Sequence, residues 1–289
     1  MSKTILNRPN GWVKRPGRAY NIFMADITLR TIFNSAASEY DAIRPGYPDA
    51  LIEDVITLSS LPENPRLLEI GCGTGQATRS FAPRGYEILC LDIGPDLIAR
   101  AQENLRAFPR VRFENVSFEN WEAEPQPFDL VYSATAFHWI PPAVGYPKAA
   151  HVLRPGGTLA VFSNEHPYIY TGFFDEVQAV YNRLVPEWQV EGKPAPARLH
   201  TNDEIHAEAA FIDSMGLFAP VIVRTYPWKR TYTTAEYLIL LNTYSNHRNL
   251  EEPRRQTLYQ SIADLIERRY GGRVEKEYLG VLFLARKGD

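Results

Sequence analysis

An apolar stretch that runs straight into three glycines constrains this chain more than any other feature. Residues 67 to 76 read Leu-Leu-Glu-Ile-Gly-Cys-Gly-Thr-Gly-Gln. Gly71, Gly73 and Gly75 allow a sharp turn and a close approach of bare backbone to a bound molecule. A second apolar run, Glu87-Ile-Leu-Cys-Leu-Asp92, ends on an acid 21 residues after Gly71. In a nucleotide-binding α/β sheet, a carboxylate at that place reaches ribose hydroxyls. Strand, glycine turn and acid together predict a site for an adenosine-containing cofactor.

The spacing separates two cofactors. A dinucleotide fingerprint, G-x-G-x-x-G, uses its third glycine to close helix against strand. Counted from Gly71, that third position is Gln76, so the fingerprint is missed by one residue. The arrangement present, with Glu69 two residues before the first glycine, resembles motif I of the class I S-adenosylmethionine-dependent methyltransferases. The likeness continues downstream. Phe128-Asp-Leu-Val-Tyr-Ser-Ala-Thr-Ala-Phe-His-Trp139 is similar to that family's fourth strand, whose carboxyl end faces the transferable methyl group. Leu153-Arg-Pro-Gly-Gly-Thr-Leu-Ala-Val-Phe162 is similar to its fifth strand and the turn before it. Upstream, Glu39-Tyr-Asp-Ala-Ile-Arg-Pro-Gly-Tyr-Pro48 matches the Y-x-x-x-R-P-x-Y-P segment of one branch. The similarity covers roughly residues 35 to 165. The remainder, including Thr243-Tyr-Ser-Asn-His247 and Gly271 to Arg286, resembles only uncharacterised bacterial members. Trans-aconitate methyltransferases share the fold and the aromatic-x-Trp ending of strand four, but not that tail.

The resemblance implies an α/β fold, a seven-stranded doubly wound Rossmann-like sheet with helical cap insertions, and S-adenosyl-L-methionine as cofactor. It sets Glu69 to order the glycine loop and brings Gly71 and Gly73, with Gly75 closing the turn, against the methionine part. Asp92 takes the ribose hydroxyls and Ile93 flanks the adenine. The acidic residue that the family places near the adenine N6 aligns here with Val116, leaving Ser117 and Phe118 to cover the ring by backbone and edge contacts. Thr135, in the turn after strand four, joins these cofactor contacts. Tyr40 and Arg44 close over the cofactor in that branch; the same two residues also fit an N-terminal helix salt-bridged to the core.

A sulfonium methyl group is intrinsically electrophilic, so the protein mainly aligns nucleophile, methyl and leaving sulfur, which supplies about 7–11 kcal/mol. A hydroxyl or amine acceptor also calls for a base, whereas a carboxylate acceptor does not. His138 is the first candidate, as a base or as a residue packed beside Trp139 that orients the substrate. His247 is a second, from the lid. Tyr170, Phe173, Trp228, Tyr232, Tyr237 and Tyr244 give the cap an aromatic cast suited to a small acceptor, or to helix packing. Arg230, Arg248, Arg254 and Arg255 are placed to meet a carboxylate. Oxygen is the expected acceptor atom. Carbon methylation of a lipid or quinone-type acceptor, binding of S-adenosylmethionine without catalysis, and a nicotinamide-dependent oxidoreductase are the alternatives.

Composition sets the outer limits. At 289 residues, 45% apolar and 22% charged, the chain has the make-up of a globular enzyme with an ample core. A net charge of −3 and no basic groove argue against nucleic acid as substrate. The N/D-P-P-Y/F motif of amino-directed DNA methyltransferases is replaced by Ser133-Ala-Thr-Ala136. No run of about 18 apolar residues marks a membrane span. Cys72 and Cys90 read as reduced structural thiols of a cytoplasmic protein, and no metal site is expected. Monomer and homodimer both remain open.

Residues 1–30 read as a flexible tail, with Met24 as an alternative start, and 31–289 as the methyltransferase domain. Its core is expected over about 35–165, 203–228 and 273–287, and its cap over about 166–202 and 233–271. Strands are predicted at 111–118, 128–134, 158–162, 221–228 and 274–285, the last antiparallel. Helices are predicted around Leu51–Leu58, Leu97–Leu105, Phe174–Leu184, Glu204–Gly216, after a capping box at Thr233-Thr-Ala-Glu236, and around Leu258–Ile266.

Overall fold

The computed structural model describes residues 41, 43–165, 172–188 and 202–288. Seven strands form one sheet: β1 (Arg66–Ile70), β2 (Glu87–Asp92), β3 (Val111–Asn115), β4 (Phe128–Ala134), β5 (Leu153–Glu165), β6 (Ile222–Thr233) and β7 (Arg273–Arg286). Their order is β3-β2-β1-β4-β5-β7-β6. The first five pair in parallel and β7 lies antiparallel between β5 and β6. The sheet is flanked by α1 (Asp49–Ser59), α2 (Thr78–Phe81), α3 (Pro95–Asn104), α4 (Pro142–Val152) and α6 (Asn202–Ser214). The cap holds α5 (Phe173–Leu184), α7 (Thr234–Asn242), α8 (Ser245–Arg248) and α9 (Glu252–Tyr270).

Central parallel strands are covered on both faces, so apolar residues run through them without alternation. Every residue of β1 is buried, and so are five of six in β2. One layer of core packs Leu51, Ile52, Val55 and Phe81 against Tyr132 and Phe162. The opposite layer packs Tyr146, Ala149 and Ile212 against Leu68, Val131 and Leu159. The winding reverses at β1, which has β2 on one side and β4 on the other, and there the carboxyl ends of the strands open a crevice.

Three strands depart from the expected bounds, each for a local reason. β3 stops at Asn115 rather than Phe118, because the Asn115 side-chain amide donates to the Asp92 carbonyl (2.9 Å) and residues 117–121 coil into a turn closed by Trp121 N–H on Ser117 O (2.8 Å). β5 starts at Leu153, absorbing the Pro-Gly-Gly turn as an irregularity in its register against β4. β6 continues to Thr233, paired with β7 throughout. Pro227 is tolerated inside it because β6 is the sheet edge, where a missing N–H costs no ladder bond.

The cap has its own core. Phe173, Val177, Tyr237, Leu240, Leu258, Ile262 and Ile266 pack with Val274 and Tyr278 from β7. Phe173, Tyr232 and Tyr237, expected to shape an acceptor pocket, are spent on this packing and are at most 6% exposed. Tyr170 lies outside the described residues. The capping box is present: the Thr233 hydroxyl accepts from Glu236 N–H (3.3 Å) and the Glu236 carboxylate accepts from Thr233 N–H (2.8 Å). Among the described residues no helix is long and apolar enough to cross a membrane.

Ile262 is fully buried at the centre of the cap core. Ile262→Ala is expected to lower unfolding free energy by about 2–5 kcal/mol, read from urea denaturation followed by circular dichroism.

Candidate functional site

A cavity of about 250 Å³ opens at the carboxyl ends of β1, β2 and β4, and a smaller one of about 70 Å³ adjoins it. Arg44, Gly71, Gly73, Ala134 and Thr135 line both, so the two are compartments of one cleft. Together they reach the range of small-molecule sites, which begins at about 300 Å³.

Asp92 anchors the cleft. Its carboxylate accepts from Gly73 N–H (2.8 Å) in the glycine loop and from Gly94 N–H (2.8 Å) at the start of α3. Only 9% exposed, it faces the larger cavity as a fixed acceptor. Ile93, Leu97 and Val116 line the same compartment, an apolar surface beside the acid. Gly71 is glycine of necessity: its φ is +72°, and a Cβ there would stand 2.4 Å from the Ala136 Cβ.

Glu69 lies beneath the loop, 1% exposed. It accepts from the hydroxyls of Thr78 (2.5 Å) and Tyr132 (2.7 Å), which ties β1 to α2 just past the glycines and to β4. Burial pushes its carboxyl up to about 7, against the opposing pull of these hydroxyls.

A strap from Asp41 to Pro48 covers the loop. Asp41 accepts from Thr74 Oγ1 (3.0 Å), Arg79 (2.5 Å) and Arg100 (3.2 Å), which ties the strap to the glycine loop, α2 and α3. Arg44 lines both compartments, donates to Thr243 O (3.1 Å) and stands 5.2 Å from the Tyr244 ring centroid. Tyr47 and Thr135 are hydrogen-bonded through their hydroxyls (2.8 Å). Thr135 sits at φ 58°, a region that β-branched residues rarely adopt. Tyr40 lies outside the described residues.

The cleft also gathers Ser117, Phe118 and His138. His138 is exposed, in a 3-10 turn (Phe137–Trp139) after β4, with its ring 5.0 Å from that of Trp139. Two expected site residues lie elsewhere. Gly75 lines neither compartment; its φ of +89° and the Leu105 side chain, 2.8 Å from a Cβ at that place, account for the glycine. His247 is 3% exposed inside the cap, walled by Tyr181, Trp188, Tyr244 and Tyr259, with Nε2 3.3 Å from the Tyr181 hydroxyl. It faces no cavity of the cleft, and burial pulls its imidazole down to about 4. Sequence reasoning missed Glu119, Trp139 and Ile140, which also line the larger compartment. Glu119 adds an acidic residue to the wall that Val116 left apolar. The Lys148 ammonium holds that wall in place by donating to the carbonyls of Glu119 (3.1 Å) and Trp121.

A family profile described as a methyltransferase domain matches residues 67–157. An uncharacterized methyltransferase of Mycobacterium tuberculosis is 32% identical over 133 residues, 46% of this chain and 51% of that protein. The chain therefore spans about half the length of that curated relative. A malonyl-[acyl-carrier protein] O-methyltransferase of a Paenibacillus species is 31% identical over 196 residues, 63% of this chain and 70% of that protein. The chain belongs to the class I S-adenosylmethionine-dependent methyltransferases. A crystallised Haemonchus contortus phosphoethanolamine N-methyltransferase shares the fold of this methyltransferase, with a TM-score of 0.52 at 17% identity, over 90% of this chain and 60% of that one. The cleft suits the family's cofactor in kind: a fixed acid for hydroxyl donors, apolar walls beside it, and bare backbone at Gly71 and Gly73.

Asp92→Ala is expected to weaken S-adenosylmethionine binding at least tenfold, since a hydrogen bond to a charged group is worth about 1.5–3 kcal/mol; unchanged affinity in calorimetry would refute the ribose role. His247 makes a separate prediction. The unfolded chain takes up this proton near pH 6.5 and the folded one only near 4, so its stabilising contribution is complete above 6.5 and is lost as pH falls toward 4. The loss is of the order of 3 kcal/mol, and His247→Phe is expected to flatten this part of the stability–pH curve in urea titrations.

Proposed function

We propose that this methyltransferase moves the methyl group of S-adenosylmethionine onto an oxygen of a small organic acceptor. The observation that carries the reading is one cleft lined by both Asp92 with Gly73 and Thr135 with His138, so cofactor acid and post-β4 turn face the same space. When bound, the cofactor supplies an electrophilic sulfonium methyl. Asp92 and the wall from Val116 to Glu119 hold the adenosine end, and Gly71 and Gly73 lie along the methionine part. Arg44 and Tyr47, on the strap, limit access of water from above. His138 is the exposed titratable ring at the acceptor end. It takes a proton from a hydroxyl acceptor, or orients a carboxylate, which needs no base. The likeness to a malonyl-[acyl-carrier protein] O-methyltransferase supports oxygen over carbon or nitrogen. Gln76 stands where a dinucleotide site needs glycine; its side chain donates to Thr74 Oγ1 (2.7 Å) and lines the smaller compartment.

Titration with S-adenosylmethionine, S-adenosylhomocysteine and NAD in parallel is expected to give micromolar binding of the first two and none of NAD; the reverse result would sink the assignment. With a turned-over acceptor from a screen of carboxylates and phenols, His138→Ala is expected to reduce kcat at least tenfold while cofactor affinity stays within twofold. If affinity and turnover fall together, His138 is structural.

A further inference from the structure

Among the described residues the β6–β7 ribbon outruns its sheet: β5 pairs with β7 as far as Glu165↔Leu279, and β6 and β7 stay paired to Thr233↔Arg273. Residues directly opposite in an antiparallel pair share a face, and like charges so placed repel. The outer face follows this rule. Lys229 meets Glu275 (2.9 Å) and Glu277 (3.0 Å), with Lys229 and Glu275 exposed and Glu277 half-buried.

The inner face breaks the rule. Arg230 lies directly opposite Lys276, both half-buried, and among the described residues neither has a carboxylate within ion-pair distance. Glu236, whose carboxyl senses Arg230, is already held by the Thr233 N–H (2.8 Å). Rings take the place of acids: the Arg230 guanidinium is 4.8 Å from the Tyr232 centroid, and the Lys276 ammonium 5.2 Å and 5.3 Å from those of Tyr278 and Phe174. Such contacts hold a cation without neutralising it. Burial pulls the Lys276 amine down to about 8, with no acid to counter it.

This face borders the smaller compartment of the cleft, with Arg230 and Lys276 set behind its lining. Trp228, next inward, donates from Nε1 to Asn164 Oδ1 (3.0 Å), and Arg230 donates to the carbonyl of Arg44 (3.4 Å). Asn164 and Arg44 both line the compartment shared with Gly71 and Gly73. Of the other cap arginines, Arg254 pairs with Glu187 (2.5 Å) and Arg255 with Glu252.

We infer that Arg230 and Lys276 bind a carboxylate of the acceptor and so set this enzyme's specificity for small organic acids that carry a second, methylatable oxygen group. A planar guanidinium offers a carboxylate two parallel donors, and the ammonium adds a point charge beside it. The inference rests on the methyltransferase reading above.

The test is calorimetry on the full chain loaded with S-adenosylhomocysteine, titrated with a panel of small dicarboxylates, their dimethyl esters and a phosphate monoester. At least one dicarboxylate is expected to bind, its diester not, and Lys276→Met and Arg230→Met to weaken it at least tenfold each. Lys276→Arg is expected to restore most of the binding, with S-adenosylhomocysteine affinity and melting temperature held in all three variants. Equal dicarboxylate affinity in the Met variants, equal binding of acid and ester, or tighter binding of the phosphate would overturn the carboxylate site and leave the methyltransferase reading standing. Failure of the wild type to take S-adenosylhomocysteine would overturn both.

Discussion

One carboxylate organises the cleft. Asp92 accepts amide protons from two different loops, at Gly73 and Gly94, and its carbonyl accepts from Asn115 at the end of β3. The turns after β1 and β2 and the exit of β3 are thereby fixed to one residue. Hydrogen bonds to an ionised acceptor are the stronger kind, about 1.5–3 kcal/mol each, so the glycine loop is set by a partner rather than by its own flexible residues. Glu69 supports the loop from the opposite side. The two acids are sorted by donor: Asp92 takes amides and lines the larger compartment, while Glu69 takes hydroxyls from α2 and β4 and lines the smaller one.

Much of this was legible in the sequence because it is written locally. Apolar runs closed by glycine or acid marked β1 and β2, and the Thr233–Glu236 box marked a helix start to the residue. The cleft residues Ile93, Ser117, Phe118, Thr135 and His138 followed from their places just past strand ends. What the sequence did not place depends on contacts distant in sequence. His247 looks reactive in its own segment, yet its fate is decided by Tyr181, Trp188 and Tyr259, which come from other elements. Gly75 shares a motif with Gly71 and Gly73, but Leu105, thirty residues on, explains it. Glu119 was passed over because the reading of β3 carried regular structure past Asn115, hiding the coil that brings this acid to the wall.

The cap and the sheet are stabilised differently. The sheet buries unbroken apolar strands between helical layers, whereas the cap relies on rings, with Phe173 packed edge-on against Phe174, Tyr237 and Tyr270. The ribbon of β6 and β7 belongs to both, joining the sheet through β5 and the cap through Val274 and Tyr278. Any shift of the cap relative to the cleft is therefore felt along two continuous strands rather than across a loose linker.

Thr135 has a mechanical consequence. A β-branched residue at φ 58° costs of the order of 1–3 kcal/mol and persists only where its surroundings insist on it. Its N–H donates to Phe162 O (2.8 Å) and its hydroxyl is bonded to Tyr47 on the strap. The strained turn at the floor of the cleft is thus clamped from two sides, by β5 beneath it and by the strap across it, so the shape of the floor depends on a hydroxyl carried by a separate segment of the chain.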